Sequence, residues 1–153
     1  EIGDLALALT VALKHERPPA AVAAFSPATD LTGSSESWRS NRLRDDMFTD
    51  QLQNLAAFYL AGADARDPLL SPLYGDLAGL PPVLLHVGDG ELLRDDSVRF
   101  AEAARAAGSR ADCKIWRGAP HVFQFVHAWV PEARQSLDEA AAFLRSALDG
   151  AAS

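Results

Sequence analysis

Among 153 residues there is one cysteine, Cys113. A lone thiol excludes an intrachain disulfide and any zinc site built on cysteines. Lysine is nearly as scarce. Of the 14 basic residues only Lys14 and Lys114 are lysines, and the 21 acidic residues bring the net charge to −7. No run of basic residues forms a patch, which argues against nucleic acid or an anionic membrane as a partner. No apolar stretch approaches the ~20 residues of a membrane span. No pair of histidines has metal-ligand spacing. The turn Gly88-Asp89-Gly90 has no helix opening directly behind it and no phosphate-binding lysine, so it is a poor phosphate loop. The chain opens on Glu1, without an initiator methionine or a basic leader, and the expectation is a fragment or a processed product. The missing disulfides point to the cytoplasm.

What remains is ordinary globular material, 48% apolar and 23% charged, of a length that makes one domain over residues 1–153. Four helices are predicted. Asp4 to His15 carries Leu5, Leu9, Ala12 and Leu13 on one face, with Asp4 as N-cap. Gln51 to Ala61 aligns Leu52, Leu55, Ala56, Tyr59 and Leu60. Asp96 to Ala107 opens on acidic residues at its positive end, and Pro131 starts a helix reaching about Leu148. Three short runs read as strands: Ala21 to Phe25, Pro82 to Val87, and Asp112 to Trp116. The first two are continuously apolar, as in a parallel sheet covered on both faces. The third alternates, as on an edge. The fold class expected is α/β, with about three parallel strands, flanking helices, and a helical, lid-like insertion over residues 27–70 after the first strand.

Ligands of open α/β sheets gather beyond the carboxyl ends of the strands. There the second strand runs into Val87-Gly88-Asp89-Gly90-Glu91 and the third into Arg117-Gly118-Ala119-Pro120-His121. A carboxylate and a histidine in successive loops are the ingredients of the acid–base half of a nucleophilic triad. Glu91 before His121 also matches the chain order acid-then-histidine of α/β-hydrolases. Asp89 competes with Glu91 for the acid's place. His15 ends a helix, His86 is expected as a packed core residue, and His127 as packing. Trp116, Phe123, Phe125 and Trp129 read mostly as core, although Phe123 could face a substrate.

Four blocks then carry a resemblance. Ser26-Pro27-Ala28-Thr29-Asp30-Leu31, Asp67-Pro68-Leu69-Leu70-Ser71-Pro72-Leu73, Gly88 to Asp96, and Gly118-Ala119-Pro120-His121-Val122-Phe123 resemble the C-terminal part of the hormone-sensitive-lipase family of α/β-hydrolases, which includes many bacterial carboxylesterases. The resemblance covers nearly the whole chain and implies a partial α/β-hydrolase fold. It implies Glu91 as acid, where the family more often has Asp, and His121 as general base. The family's serine sits in a Gly-Asp-Ser-Ala-Gly-Gly elbow. Gly3 can match its last glycine, which puts the serine before residue 1. Neither a G-x-S-x-G motif nor the family's His-Gly-Gly-Gly oxyanion segment occurs here. The expected protein is therefore the acid–histidine half of a serine carboxylesterase for short or medium acyl chains, needing no cofactor. It would be inactive without an N-terminal half of the same hydrolase, and would pair with copies of itself through the edge strand 112–116. The rival expectation is a non-catalytic, truncated homologue that acts as an interaction module.

Overall fold

The computed structural model describes residues 2–45 and 51–151. Its elements are α1 (Ile2–Leu13), β1 (Val22–Phe25), α2 (Ser37–Ser40), α3 (Gln51–Leu60), β2 (Val83–Gly88), α4 (Arg94–Ala106), β3 (Ala111–Trp116) and α5 (Pro131–Ala151), with single 3₁₀ turns at Pro72–Tyr74 and Phe123–Val126. The three strands are parallel, in the order β1-β2-β3. Phe25 lies beside His86, and Gly88 beside Trp116, so all three strands deliver their carboxyl ends to one rim.

Alternation along the strands divides the core. Val22, Ala24, Val83, Leu85 and Ala111 pack against Leu7 and Val11 of α1 and against Phe100 and Ala104 of α4. The opposite face presents Phe25, His86 and Trp116 to α5. The His86 ring centroid lies 5.8 Å from that of Phe25 and 5.6 Å from that of Trp116. His86 is a core residue as expected, with Nδ1 2.7 Å from Ser136 Oγ. Burial pushes its pKa down to about 4, so at neutral pH the 4.0 Å approach of Nε2 to Glu139 is not an ion pair. Glu139 instead holds Lys114 at 2.7 Å, and the Lys114 ammonium lies 3.9 Å over the Trp116 ring.

Several expectations are corrected. In α1 the buried residues are Leu7, Ala8 and Val11, whereas Leu5, Leu9 and Leu13 are 51%, 48% and 43% exposed. The helix is apolar on two sides, so periodicity alone could not say which side meets the sheet. Asp4 stands inside the first turn and is buried, because the helix begins at Ile2. In α3, Ala56 is buried but Tyr59 is half exposed; Leu52 and Leu55 lie outside the side chains the structure describes. His127, Phe125 and Trp129 are exposed, whereas Trp116 and Phe123 are core.

The stretch from Thr29 to Ser40, which reads as loop, contains the short α2 and is laced to the start of α4. Ser37 N–H donates to Asp95 Oδ2 at 2.9 Å, Asp95 N–H donates back to Ser37 Oγ at 3.1 Å, and the Ser37 hydroxyl donates to Leu92 O at 2.6 Å. Beneath them Asp96 is fully buried. Its Oδ1 accepts from Ser35 Oγ and Trp38 Nε1, and its Oδ2 from Asp30 N–H. Asp30, equally buried, takes the Ser34 hydroxyl and the Arg99 guanidinium, both at 2.6 Å. Burial alone would raise the Asp30 pKa. The hydroxyls of Ser34 and Thr32 and the Arg99 cation overcome that and hold it below the usual value. For Asp96 burial wins over the Ser35 hydroxyl, the Asp30 charge adds to it, and the pKa rises to about 7.

A carboxyl whose folded pKa lies above its unfolded value stabilises the fold fully below the unfolded value, near 4, and loses that contribution as pH rises through about 7. Asp96→Asn removes this titration. Urea denaturation of both proteins at pH 5 and pH 8 should show the stability difference moving in favour of the variant at the higher pH. A difference independent of pH would contradict the assignment.

Candidate active site

The β2 strand ends in a tight turn that brings Glu91 back beneath the strand end. Gly88 permits this. A Cβ built there would stand 1.9 Å from Ala119 O, so a side chain cannot fit between the acid loop and the histidine loop. Asp89 then clamps the two loops together. Its N–H donates to Trp116 O at 2.9 Å, its Oδ1 accepts Gly118 N–H at 2.8 Å, and Arg44 lies 3.5 Å from its Oδ2.

Glu91 is 1% exposed and lies between three partners. Its Oε1 accepts Gly88 N–H at 2.5 Å and the Ser26 hydroxyl at 2.8 Å. Its Oε2 lies 2.8 Å from His121 Nδ1. His121 is itself 5% exposed. Carboxylate oxygens accept hydrogen bonds, so a carboxylate against Nδ1 favours the tautomer with the proton on Nδ1 and Nε2 as the basic nitrogen. The insertion supports the acid from outside. The Asn41 amide donates to Glu91 O at 2.9 Å and to Asp89 O at 3.1 Å, and Leu92 N–H donates to Asp45 Oδ2 at 2.8 Å.

Glu91 and His121 are thus brought together as predicted, while Asp89 faces Gly118 and Arg44. Phe123 is 4% exposed and packs on Trp116, with ring centroids 5.5 Å apart. The exposed aromatic near His121 is Phe125, which with Gly3, Ala24, Phe25 and Val122 borders an apolar groove of about 380 Å³ reaching His121. A larger open cavity of about 630 Å³ lies along α5 near Trp129 and Arg134, and neither Glu91 nor His121 lines it. Among the described residues no group of three or more His, Cys, Asp or Glu is placed to hold a metal ion. Sequence reasoning missed Ser26 and Asn41. Ser26 stands in a family-like block but with no sign of a role at the acid, and Asn41 in none, because both act by fold-dependent hydrogen bonds across 65 and 50 residues.

Comparison with known proteins agrees with this geometry. A profile of the alpha/beta hydrolase fold matches residues 3–125. An esterase of Acinetobacter venetianus is 42% identical over 147 residues, covering 94% of this chain and 48% of that protein. An acetyl-hydrolase of Streptomyces hygroscopicus is 41% identical over 130 residues, covering 84% of this chain and 44% of its own length. The crystal structure of an esterase from the bacterial hormone-sensitive lipase family superposes with a TM-score of 0.90 at 39% identity, over 94% of this chain and 50% of that one. The chain belongs to the alpha/beta hydrolase fold family, and it spans about half the length of the relatives it matches. No helix among the described residues is long and apolar enough to cross a membrane.

The Gly88 contact gives a test of the site's construction. Gly88→Ala should cost about 3 kcal/mol or more, because the obstruction is backbone and cannot rotate away. Gly90→Ala, whose added carbon would meet nothing nearer than 3.6 Å, should stay within about 1 kcal/mol. Urea unfolding of the two variants separates these outcomes, and equal costs would refute the close-approach account.

Proposed function

We propose that this chain supplies the acid and the general base of a serine esterase, with Glu91 as the acid and His121 as the base. The observation carrying this reading is the buried Glu91–His121 contact of 2.8 Å, in loops at the carboxyl rim of the sheet. In this reading a serine hydroxyl gives its proton to His121 Nε2 as its oxygen attacks the ester carbonyl. The imidazolium, steadied by Glu91, returns that proton to the departing alkoxide, leaving an acyl-serine. Water then attacks the acyl group by the same proton relay, releasing the acid and restoring the hydroxyl. The esterase and acetyl-hydrolase relatives support carboxylic esters as the substrate class, and the reading takes their acyl chains to be short or medium.

The serine would come from the half of the relatives that this chain does not span. Two features support a complementary partner of that kind. The outer edge of β1 faces no strand among the described residues, and the apolar groove beside it runs to His121. The second apolar stripe of α1, at Leu5, Leu9 and Leu13, is uncovered at helical spacing. A part carrying one more parallel strand and one more helix would cover both. The outer edge of β3, where Ile115 is half exposed, is the place for a copy of the same chain to pair.

Purified alone, the 153 residues should not hydrolyse p-nitrophenyl butyrate above the background rate, since loss of a triad serine costs on the order of 10⁶ in rate. Adding the serine-bearing half of a relative in trans should restore turnover. His121→Ala should abolish it, and Leu9→Glu should prevent reassembly without unfolding the chain. Turnover by the chain alone would overturn the reading, and its loss in His121→Ala would show that a nucleophile lies within these residues. Reassembly without turnover would favour a binding module. In light scattering the isolated chain should associate as concentration rises, and a monomer at every concentration would contradict pairing through exposed edges.

A further inference from the structure

Three non-glycine residues among those described have a positive φ: Ser26 at 49°, Ala61 at 47° and Val122 at 46°. The left-handed region is unfavourable for any side chain and most of all for a β-branched one. Ala61 is followed by Gly62 at the end of α3, where such a residue closes a helix. Ser26 and Val122 close no helix, although Val122 immediately precedes the 3₁₀ turn Phe123–Val126. They are 96 positions apart in the chain and are joined directly, with Val122 N–H donating to Ser26 Oγ at 3.2 Å. The same hydroxyl donates to Glu91 Oε1 at 2.8 Å. Ser26 is 1% exposed, and its own N–H donates to His86 O at 2.8 Å, continuing the ladder between β1 and β2.

One hydroxyl therefore touches the acid by donating and the residue after the base by accepting. We infer that Ser26 is a positioning residue for the acid–base pair, holding the Glu91 carboxylate at one oxygen and the His121–Val122 backbone at the other end of the same hydrogen-bond chain. This rests on the reading of Glu91 and His121 as acid and base.

The geometry accounts for both strained residues together. With Gly88 N–H and Ser26 Oγ fixed on Oε1, rotation of the carboxyl about its last bond is blocked, so Oε2 faces His121 Nδ1. Val122 needs its unfavourable φ to aim its N–H at Ser26, and that hydrogen bond helps offset the strain. Ser26 needs its own to turn Oγ from the end of β1 toward both partners. A serine before proline is expected to be extended, so the departure at Ser26-Pro27 is specific to this contact. The hydroxyl reaches Glu91 and Val122 rather than the imidazole, so its role is positioning and not nucleophilic attack.

Nitrogen-15 NMR of the imidazole in the 153-residue chain reads this without needing turnover. His121 is assigned by its loss in His121→Gln. In the parent it should show nearly all Nδ1–H tautomer, with a downfield, slowly exchanging Nδ1 proton. Ser26→Ala and Ser26→Gly both remove the hydroxyl, but glycine accepts the positive φ. Both should mix the tautomers and speed exchange of the Nδ1 proton at least tenfold, with the far-ultraviolet circular dichroism unchanged. A signature kept in either variant overturns the proposal, and one kept in Ser26→Gly alone assigns the effect to backbone conformation. If Ser26→Ala does not fold, Ser26→Gly still decides. Glu91→Gln separates the two levels. If it leaves the signature intact, the acid–base reading fails and the Ser26 proposal with it. If it erases the signature while the Ser26 variants do not, only the proposal fails.

Discussion

A carboxylate as buried as that of Glu91 is stable only when donors surround it, and this end of the molecule is organised around supplying them. One donor is backbone, at Gly88; one is a hydroxyl, at Ser26; one is the imidazole of His121. Each comes from a different strand end, which is why the pair needs the parallel sheet. The registers of β1 with β2 and of β2 with β3 bring the three strand ends level, and Gly88 lets two loops meet with no side chain between them. The sheet sets where the three donors stand, and their hydrogen bonds set how the carboxylate is turned.

The insertion after β1 reads in sequence as a lid, and its first part is hydrogen-bonded to the body of the fold. Residues 29–45 are tied to the acid loop and to the head of α4 by Asn41, Asp45, Ser37 and the Asp30–Asp96 pair. Two buried carboxylates side by side repel unless one is neutral or well paired. Here Asp30 has the cation, Arg99, and Asp96 has a raised pKa. The asymmetry lets a small, solvent-poor cluster fasten the segment beside the apolar contacts that Ala28, Trp38 and Ala56 make with Leu92 and Leu93. The exposed aromatics of this segment, Phe58 and Tyr59, sit on α3, beyond the fastened part.

The sequence made the strands and the four longer helices legible, because each rests on a local signal such as an apolar run, a cap or a turn residue; loops that follow strand ends marked where an acid and a histidine could meet, and the family resemblance pointed to Glu91 and His121. Facing was less legible. In α1 two apolar stripes compete, and only the tertiary packing selects Leu7 and Val11 over Leu5, Leu9 and Leu13. The choice between Asp89 and Glu91 was open for a related reason. Both are acids on the same tight turn, and which one meets the imidazole depends on the direction of each side chain. Ser26 and Asn41 were invisible because a hydroxyl or an amide gives no sign of a partner dozens of residues away.

The uncovered features share one side of the molecule. The free edge of β1, the groove reaching His121 and the exposed stripe of α1 are neighbours, since α1 packs on β1 and Gly3 sits 3.5 Å, by its would-be Cβ, from Phe25 O. His121, itself buried, reaches the end of this surface, with Glu91 behind it. On the proposed reading, a base is useful only where it can reach a nucleophile, and His121 is among the residues that line the groove. Surfaces that are apolar, unpaired and adjacent to a built acid–base pair would be costly to leave in water. Covering them with a strand and a helix would lower that cost and would bring a further strand end to the rim where Glu91 and His121 wait. Completion of the sheet and completion of the active site would then be one event, driven by burial and read out as catalysis.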